Sequence, residues 1–299
     1  MSATLLDGFD AASIATLRSI LGRLDPEGTP ELVPLQPARK NGAVALIPGS
    51  FNPPTSAHSA LAELARSEGY RSSWFVYARR TLAKAPSGLI PEDRLLAMRL
   101  ACSDGVGTAV SSHGLLVDQA EAAWRAFDAG EIGFVIGSDK FEQLFEDRWY
   151  PDRDEALERL FARAVVIVAP RHGHGEKVRY LLQRPDVRRF SSRIEVRHLH
   201  PSVSEISSTR VRQILRAGGP PTGLVPTGVE ALLRDTGAFG PPTKIGREDV
   251  DRYQLRQRLL GLVLDGRCTR DAPDLHSLWR LALDPGEAGR SLRELLNAS

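Results

Sequence analysis

Apolar residues return along this chain in two rhythms. In residues 1–24, Leu5, Leu6, Phe9, Ile14, Leu17, Ile20 and Leu21 recur at helical spacing, which predicts one amphipathic helix packed on the rest of the protein. Residues 25–42 carry Pro26, Pro30, Pro34, Pro37, Gly28 and Gly42, a density that predicts an irregular linker. From 43 onward short apolar runs alternate with helical segments. Strands are predicted near 43–48, 73–78, 107–111, 132–136, 164–169 and 194–199. Helices are predicted near 56–68, 91–103, 118–129, 138–147, 152–162, 175–183, 207–217 and 227–236. This alternation predicts an α/β fold, a doubly wound parallel sheet covered on both faces. In such sheets ligands sit beyond the carboxyl ends of the strands, where strand order reverses.

Past Gly240 the run GPPT interrupts the pattern, and 247–299 shows helical periodicity only. The expected organisation is an N-terminal helix and linker (1–42), a central α/β domain (43–240) and a helical C-terminal extension (241–299). The extension is short for an independent domain, so it is expected to dock on the core or on a second copy of the chain, as in a homo-oligomer.

Composition excludes several classes. With 42% hydrophobic and 25% charged residues in 299, the chain has the profile of a globular protein. A net charge of +2 speaks against a dedicated nucleic-acid binder. No apolar run approaches the roughly 20 residues that span a bilayer, and Asp7, Asp10 and Arg18 are out of place in a signal peptide. A cytoplasmic protein without membrane or nucleic-acid partners is therefore expected. Cys102 and Cys268 are too few for a disulfide framework or a zinc site.

The informative stretch is 43–66, AVALIPGSFNPPTSAHSALAELAR: a predicted strand, a Gly/Pro turn, and a helix with His58 in its first turn. Glycine lets another group approach the main chain, and a helix N-terminus presents N–H groups and a positive dipole, so strand–Gly–helix is a ready phosphate site. Thr55 and Ser56 are candidate caps.

The run Gly49, Phe51, Pro53, Thr55, His58 resembles the G-x-F-x-P-x-[HT]-x-x-H signature of the nucleotidyltransferase superfamily, in the form found in nicotinamide or nicotinate mononucleotide adenylyltransferases. ISSTRVR at 206–212 resembles that family's second signature, I-S-S-T-x-x-R, and GSD at 137–139 its G-x-D at a strand end. GLIPEDR (88–94) and LVP (224–226) extend the resemblance over about 43–240. It implies a Rossmann-like nucleotidyltransferase fold and transfer of AMP from ATP to a mononucleotide acceptor. The acceptor's phosphate, with a second pKa of about 6, is ionised near neutral pH. No general base is then needed; the protein must hold two anions in line and stabilise charge at the α-phosphate.

The resemblance assigns roles. His58 would donate a hydrogen bond to the reacting phosphate, and Arg212 would bind the β- and γ-phosphates. Thr55 would contact phosphate or only cap its helix. Gly49, Ser50 and Phe51 would form a first ATP-binding turn, and Gly137, Ser208 and Thr209 would bind ATP with it. Ser208 and Thr209 are also natural caps of their helix, and Asp139 would bind the adenosine ribose or cap the helix it opens. For the acceptor, Lys84 and the aromatic pair Trp149 and Tyr150 are candidates, the aromatics serving either to stack on a pyridine ring or to fill core. HGLLVDQ (113–119) stands where the family carries a second stacking Trp. No protein metal site is expected: Mg²⁺ commonly binds through substrate phosphates, and RHGHGE (171–176) is expected to be an exposed loop. Three readings stay open: this adenylyltransferase, a related nucleotidyltransferase using another phosphorylated acceptor such as phosphopantetheine or CTP as donor, and a nucleotide-binding module without turnover.

Overall fold

The computed structural model describes residues 11–37, 42–80, 88–171, 173–264 and 275–298. Its elements, in chain order, begin with α1 (Ala11–Arg23), β1 (Leu32–Pro34), β2 (Ala43–Gly49), α2 (Ser56–Ser67), β3 (Ser72–Ala78), α3 (Pro91–Ala101), β4 (Val106–Ser111) and α4 (Leu116–Phe127). They continue with β5 (Glu131–Gly137), α5 (Ser138–Leu144), α6 (Arg153–Phe161), β6 (Ala164–Ala169), α7 (Gly175–Gln183), α8 (Pro185–Arg188), β7 (Ile194–Val196), α9 (Pro201–Ser204), α10 (Ser208–Arg216) and α11 (Thr227–Thr236). The C-terminal extension adds β8 (Thr243–Ile245), β9 (Glu248–Val250), α12 (Arg252–Leu264), α13 (Leu275–Ala282) and α14 (Glu287–Ala298).

Among the described residues, seven strands form one sheet in the order β1-β4-β3-β2-β5-β6-β7, and every pairing from β4 to β7 is parallel. Strand order reverses between β2 and β5, whose last residues are Gly49 and Gly137. The strands are apolar on both sides because helices cover both. Ala45, Ile47, Phe75 and Val135 pack with residues of α2, α3 and α11, while Val44, Leu46, Val76, Phe134 and Ile136 pack with residues of α4, α5 and α6. The result is the expected α/β fold, a doubly wound parallel sheet of Rossmann-like form, with helical extensions.

Both extensions join the first of these two cores. Ile14, Leu17 and Leu21 of α1, Leu255, Leu259 and Leu260 of α12, and Leu278 and Trp279 of α13 are buried in it.

Two expectations need correction. The Pro-rich segment is not wholly irregular: β1 pairs antiparallel with β4 at the sheet edge, where Pro34 removes no ladder bond that a central strand would need. The C-terminal extension is not purely helical, since β8 and β9 form a hairpin turning at Gly246, φ 61°. Three-residue strands are too short for alternation to be visible in sequence. The expected first helix is present over Ala11–Arg23, and residues 1–10 lie outside the described residues.

Candidate active site

Gly49 ends β2, and its lack of a side chain serves packing: a Cβ there would sit 3.1 Å from the Phe51 ring. Phe51 has φ 45°, an uncommon conformation for a non-glycine residue, and its ring is fully buried. That ring lies against Phe75 (centroids 5.3 Å apart) and His58 (4.9 Å). Phe51 therefore acts on this site from beneath, as the floor under the imidazole, while Gly49 and Ser50 lie on the cavity wall.

Thr55 is the N-cap of α2 and His58 its third residue. In place of the usual carboxylate, the imidazole closes the capping box: Nδ1 accepts the Thr55 backbone N–H at 3.0 Å. An N–H can only donate, so Nδ1 is unprotonated, the Thr55 hydroxyl 2.8 Å away donates to it as well, and Nε2 carries the ring proton. Burial, and secondly the Arg171 charge, push the His58 pKa down to about 4, against an opposing pull from the Thr55 backbone. At neutral pH the ring is a fixed, uncharged Nε2–H donor on the wall of a cavity of about 610 Å³.

The second motif reaches the same wall from 150 residues away. Ser207 caps α10, its hydroxyl accepting the Arg210 N–H at 3.2 Å. Ser208 and Thr209 are thus not the caps: Ser208 Oγ donates to the Pro53 carbonyl (2.8 Å), and Thr209 Oγ1 accepts from Arg212 (3.1 Å). Arg212 Nη1 donates to the Asn52 carbonyl at 2.7 Å. Leu224, of the LVP segment, accepts the Ser56 N–H at 2.9 Å and steadies the start of α2.

Across the strand reversal, Gly137 caps α5 with open space beside it; a Cβ would meet nothing nearer than the Ala169 carbonyl at 4.0 Å. Asp139 follows within the first turn, half-exposed, 3.1 Å from Arg171 and 3.8 Å from His174 Nδ1. The RHGHGE loop is therefore part of the wall through Arg171. His172 lies outside the described residues, and among these no group of three or more His, Cys, Asp or Glu could hold a metal ion.

Three further arginines, Arg79, Arg94 and Arg171, line this wall. Arg94 is 5% exposed; its Nε donates to the Leu89 carbonyl (2.8 Å) and its guanidinium lies 5.8 Å from the Tyr77 ring centre. Burial lowers its pKa, and burial followed by the like charges of Arg216 and Arg94 lowers that of Arg212. The acids on the wall, Asp139 and Glu146, already pair with Arg171 and Arg148. Cations crowded together beyond what nearby acids offset make a site that an anion would stabilise. Arg94 ends GLIPEDR, a segment whose pattern carries the resemblance without marking this residue's role.

The aromatic pair is not on this wall. Trp149 Nε1 donates to Glu146 (2.8 Å), and the Arg148 guanidinium covers the indole at 4.6 Å. Tyr150 donates to the Leu144 carbonyl (2.9 Å) and packs against the second core. A neighbouring charge and a buried carbonyl have taken up the stacking face and the hydroxyl. Lys84 lies outside the described residues.

The described residues contain no helix long and apolar enough to cross a membrane. A family model, cytidylyltransferase-like, matches residues 46–214. A probable nicotinate-nucleotide adenylyltransferase of Salinibacter ruber is 30% identical over 209 residues, covering 67% of this chain and 98% of the relative. Another, of Syntrophotalea carbinolica, is 27% identical over 217 residues, 66% of this chain and 96% of the relative. Among solved structures, a nicotinic acid mononucleotide adenylyltransferase of Plasmodium falciparum superposes with a TM-score of 0.49 at 15% identity, over 67% of this chain and 98% of that one. Matched by the model over more than half its length, and covering the Salinibacter relative almost end to end, the chain belongs to the cytidylyltransferase-like nucleotidyltransferases, a family of enzymes.

Proposed function

We propose that this enzyme transfers AMP from ATP to a pyridine mononucleotide, nicotinate or nicotinamide mononucleotide, forming the dinucleotide and pyrophosphate. The names of the two sequence relatives favour the acid. The observation that carries the reading is the meeting of a neutral, tautomer-fixed His58 with Arg212 in one cavity rich in arginine. An ionised phosphate oxygen of the acceptor attacks the α-phosphorus of ATP, the bond to the β-phosphate breaks, and pyrophosphate leaves with its charge. No proton has to move. His58 Nε2–H would stabilise charge gathering on the α-phosphate oxygens, and Arg212 and Arg94 would hold anions that otherwise repel one another. Mg²⁺ would enter as the complex with ATP, held through the substrate's phosphates. Asp139 would release Arg171 to accept the adenosine ribose hydroxyls.

Purified protein incubated with ATP, Mg²⁺ and each mononucleotide should give dinucleotide and pyrophosphate in equal amounts, detected by chromatography. No dinucleotide from either mononucleotide would overturn the assignment.

A further inference from the structure

Three consecutive charged residues open α3, and all are buried: Glu92 at 7%, Asp93 at 1% and Arg94 at 5% exposure. Each is held by a different part of the chain. Glu92 accepts from Arg18 of α1 at 2.8 Å. Asp93 meets the C-terminal extension, with Oδ1 2.6 Å from Arg256 Nη2 and Oδ2 accepting from Tyr253 Oη at 2.9 Å. Arg94 lines the nucleotide cavity.

The Tyr253 hydroxyl does a second job. Ile90 is the N-cap of α3 and has no capping side chain, so its own N–H is satisfied by Tyr253 Oη at 2.9 Å. Arg94 in turn ties its Nε to the Leu89 carbonyl, one residue earlier, at 2.8 Å. The turn that Tyr253 caps is thus the turn that aims Arg94. Buried Leu255, Leu259 and Leu260 already attach α12 to the core, and burying two charges costs several kcal/mol each before their attraction offsets it. What the Asp93–Arg256–Tyr253 cluster adds to apolar contact is direction and register.

We propose that Tyr253 and Arg256, which lie beyond the segment matched by the family model, are positioning residues: through Asp93 and the Leu89–Ile90 turn they set the Arg94 guanidinium for binding a phosphorylated substrate. This gives the C-terminal extension a part in the site, and it rests on the reading that the cavity takes such substrates.

The test is titration calorimetry of the full chain with Mg²⁺-ATP and, separately, with nicotinate mononucleotide. It compares wild type, Tyr253→Phe, Arg256→Lys, Arg94→Lys and the double variant Tyr253→Phe/Arg94→Lys. Tyr253→Phe keeps the buried ring and Arg256→Lys keeps the buried charge, so both preserve packing. Each should weaken the substrate that Arg94→Lys weakens, by about three- to tenfold, and the double variant should bind no more weakly than Arg94→Lys alone, because the effects share one route. Wild-type affinities in Tyr253→Phe and Arg256→Lys, losses that multiply in the double variant, or wild-type binding by Arg94→Lys would each overturn the proposal. Calorimetry reads binding without turnover, so a failure to form dinucleotide bears on the proposed reaction and leaves this result standing.

Discussion

Arg212 Nη1 donates to the carbonyl oxygen of Asn52 at 2.7 Å, joining residues 160 positions apart. The bond fixes the guanidinium against the turn that carries His58, so the two signature motifs share one rigid corner. Because a guanidinium has five N–H donors, the bonds to Asn52 and Thr209 leave further donors for an anion.

Arg212→Ala removes those donors and leaves the Asn52 carbonyl without this partner. ATP affinity by calorimetry is expected to fall at least about tenfold, the scale of one charge-assisted hydrogen bond. Arg212→Lys, which keeps the charge without the fork, should fall between. Wild-type ATP affinity in Arg212→Ala would remove this residue from the triphosphate site.

His58 makes a different prediction because its donor should matter most when charge develops in the transition state. His58→Ala is expected to lower kcat by about 10²–10³, as for loss of one oxyanion donor, with a much smaller change in ATP affinity. Thr55→Val removes the hydroxyl donor to Nδ1 but leaves the backbone N–H in place, so the tautomer should persist. Nitrogen-15 NMR at neutral pH should show a neutral ring protonated at Nε2 in wild type and in Thr55→Val. A ring protonated at Nδ1 would contradict the arrangement.

What was legible beforehand followed from periodicity and spacing. The six parallel strands and the motif at 49–58 stood out because apolar runs and turn residues are local signals. The meeting of His58 with Arg212 was legible through resemblance. The roles of individual side chains were not. Gly49 lines the cavity, and it also makes room for the Phe51 ring, a packing role that no local pattern displays. Trp149 is a stacking candidate by position, and the Arg148 guanidinium that lies over its ring is a contact no spacing predicts. Asp93 and Tyr253 could not be joined from sequence, because a contact across 160 residues leaves no periodic trace. Such features depend on which groups tertiary packing places together, and propensity carries no information about that.

The two glycines at the strand reversal should answer substitution in opposite ways. Gly49→Ala places a methyl 3.1 Å from a ring wedged between His58 and Phe75, so it should destabilise by about 1–3 kcal/mol, the usual cost of overpacking. Gly137 has φ −81° and open space, so Gly137→Ala should leave stability unchanged or raise it slightly, by up to about 1 kcal/mol. Its methyl would stand on the cavity wall, and the KM for ATP should rise. A Gly137→Ala variant with both stability and KM at wild-type values would show that the nucleotide keeps clear of this strand end.

The His58 pKa of about 4 gives a pH dependence whose sign is set by burial. The unfolded ring takes up a proton near pH 6.5, while the folded ring resists it until about pH 4. Proton uptake therefore favours the unfolded chain as pH falls from 6.5 towards 4, and the stability associated with a neutral His58, fully present above pH 6.5, is lost across that window. His58→Gln keeps an acceptor for the Thr55 N–H, since Gln suits this capping-box position. Melting midpoints of wild type should therefore drop more steeply than those of His58→Gln between pH 7 and 4. Arg171→Gln removes the second cause of the depression, so the ring's NMR titration midpoint should rise without reaching 6.5, because burial remains the larger cause. A midpoint unmoved by Arg171→Gln would mean that this guanidinium does not act on the imidazole across the cavity, and the crowding of cations argued from the arginine-rich wall would lose one of its members.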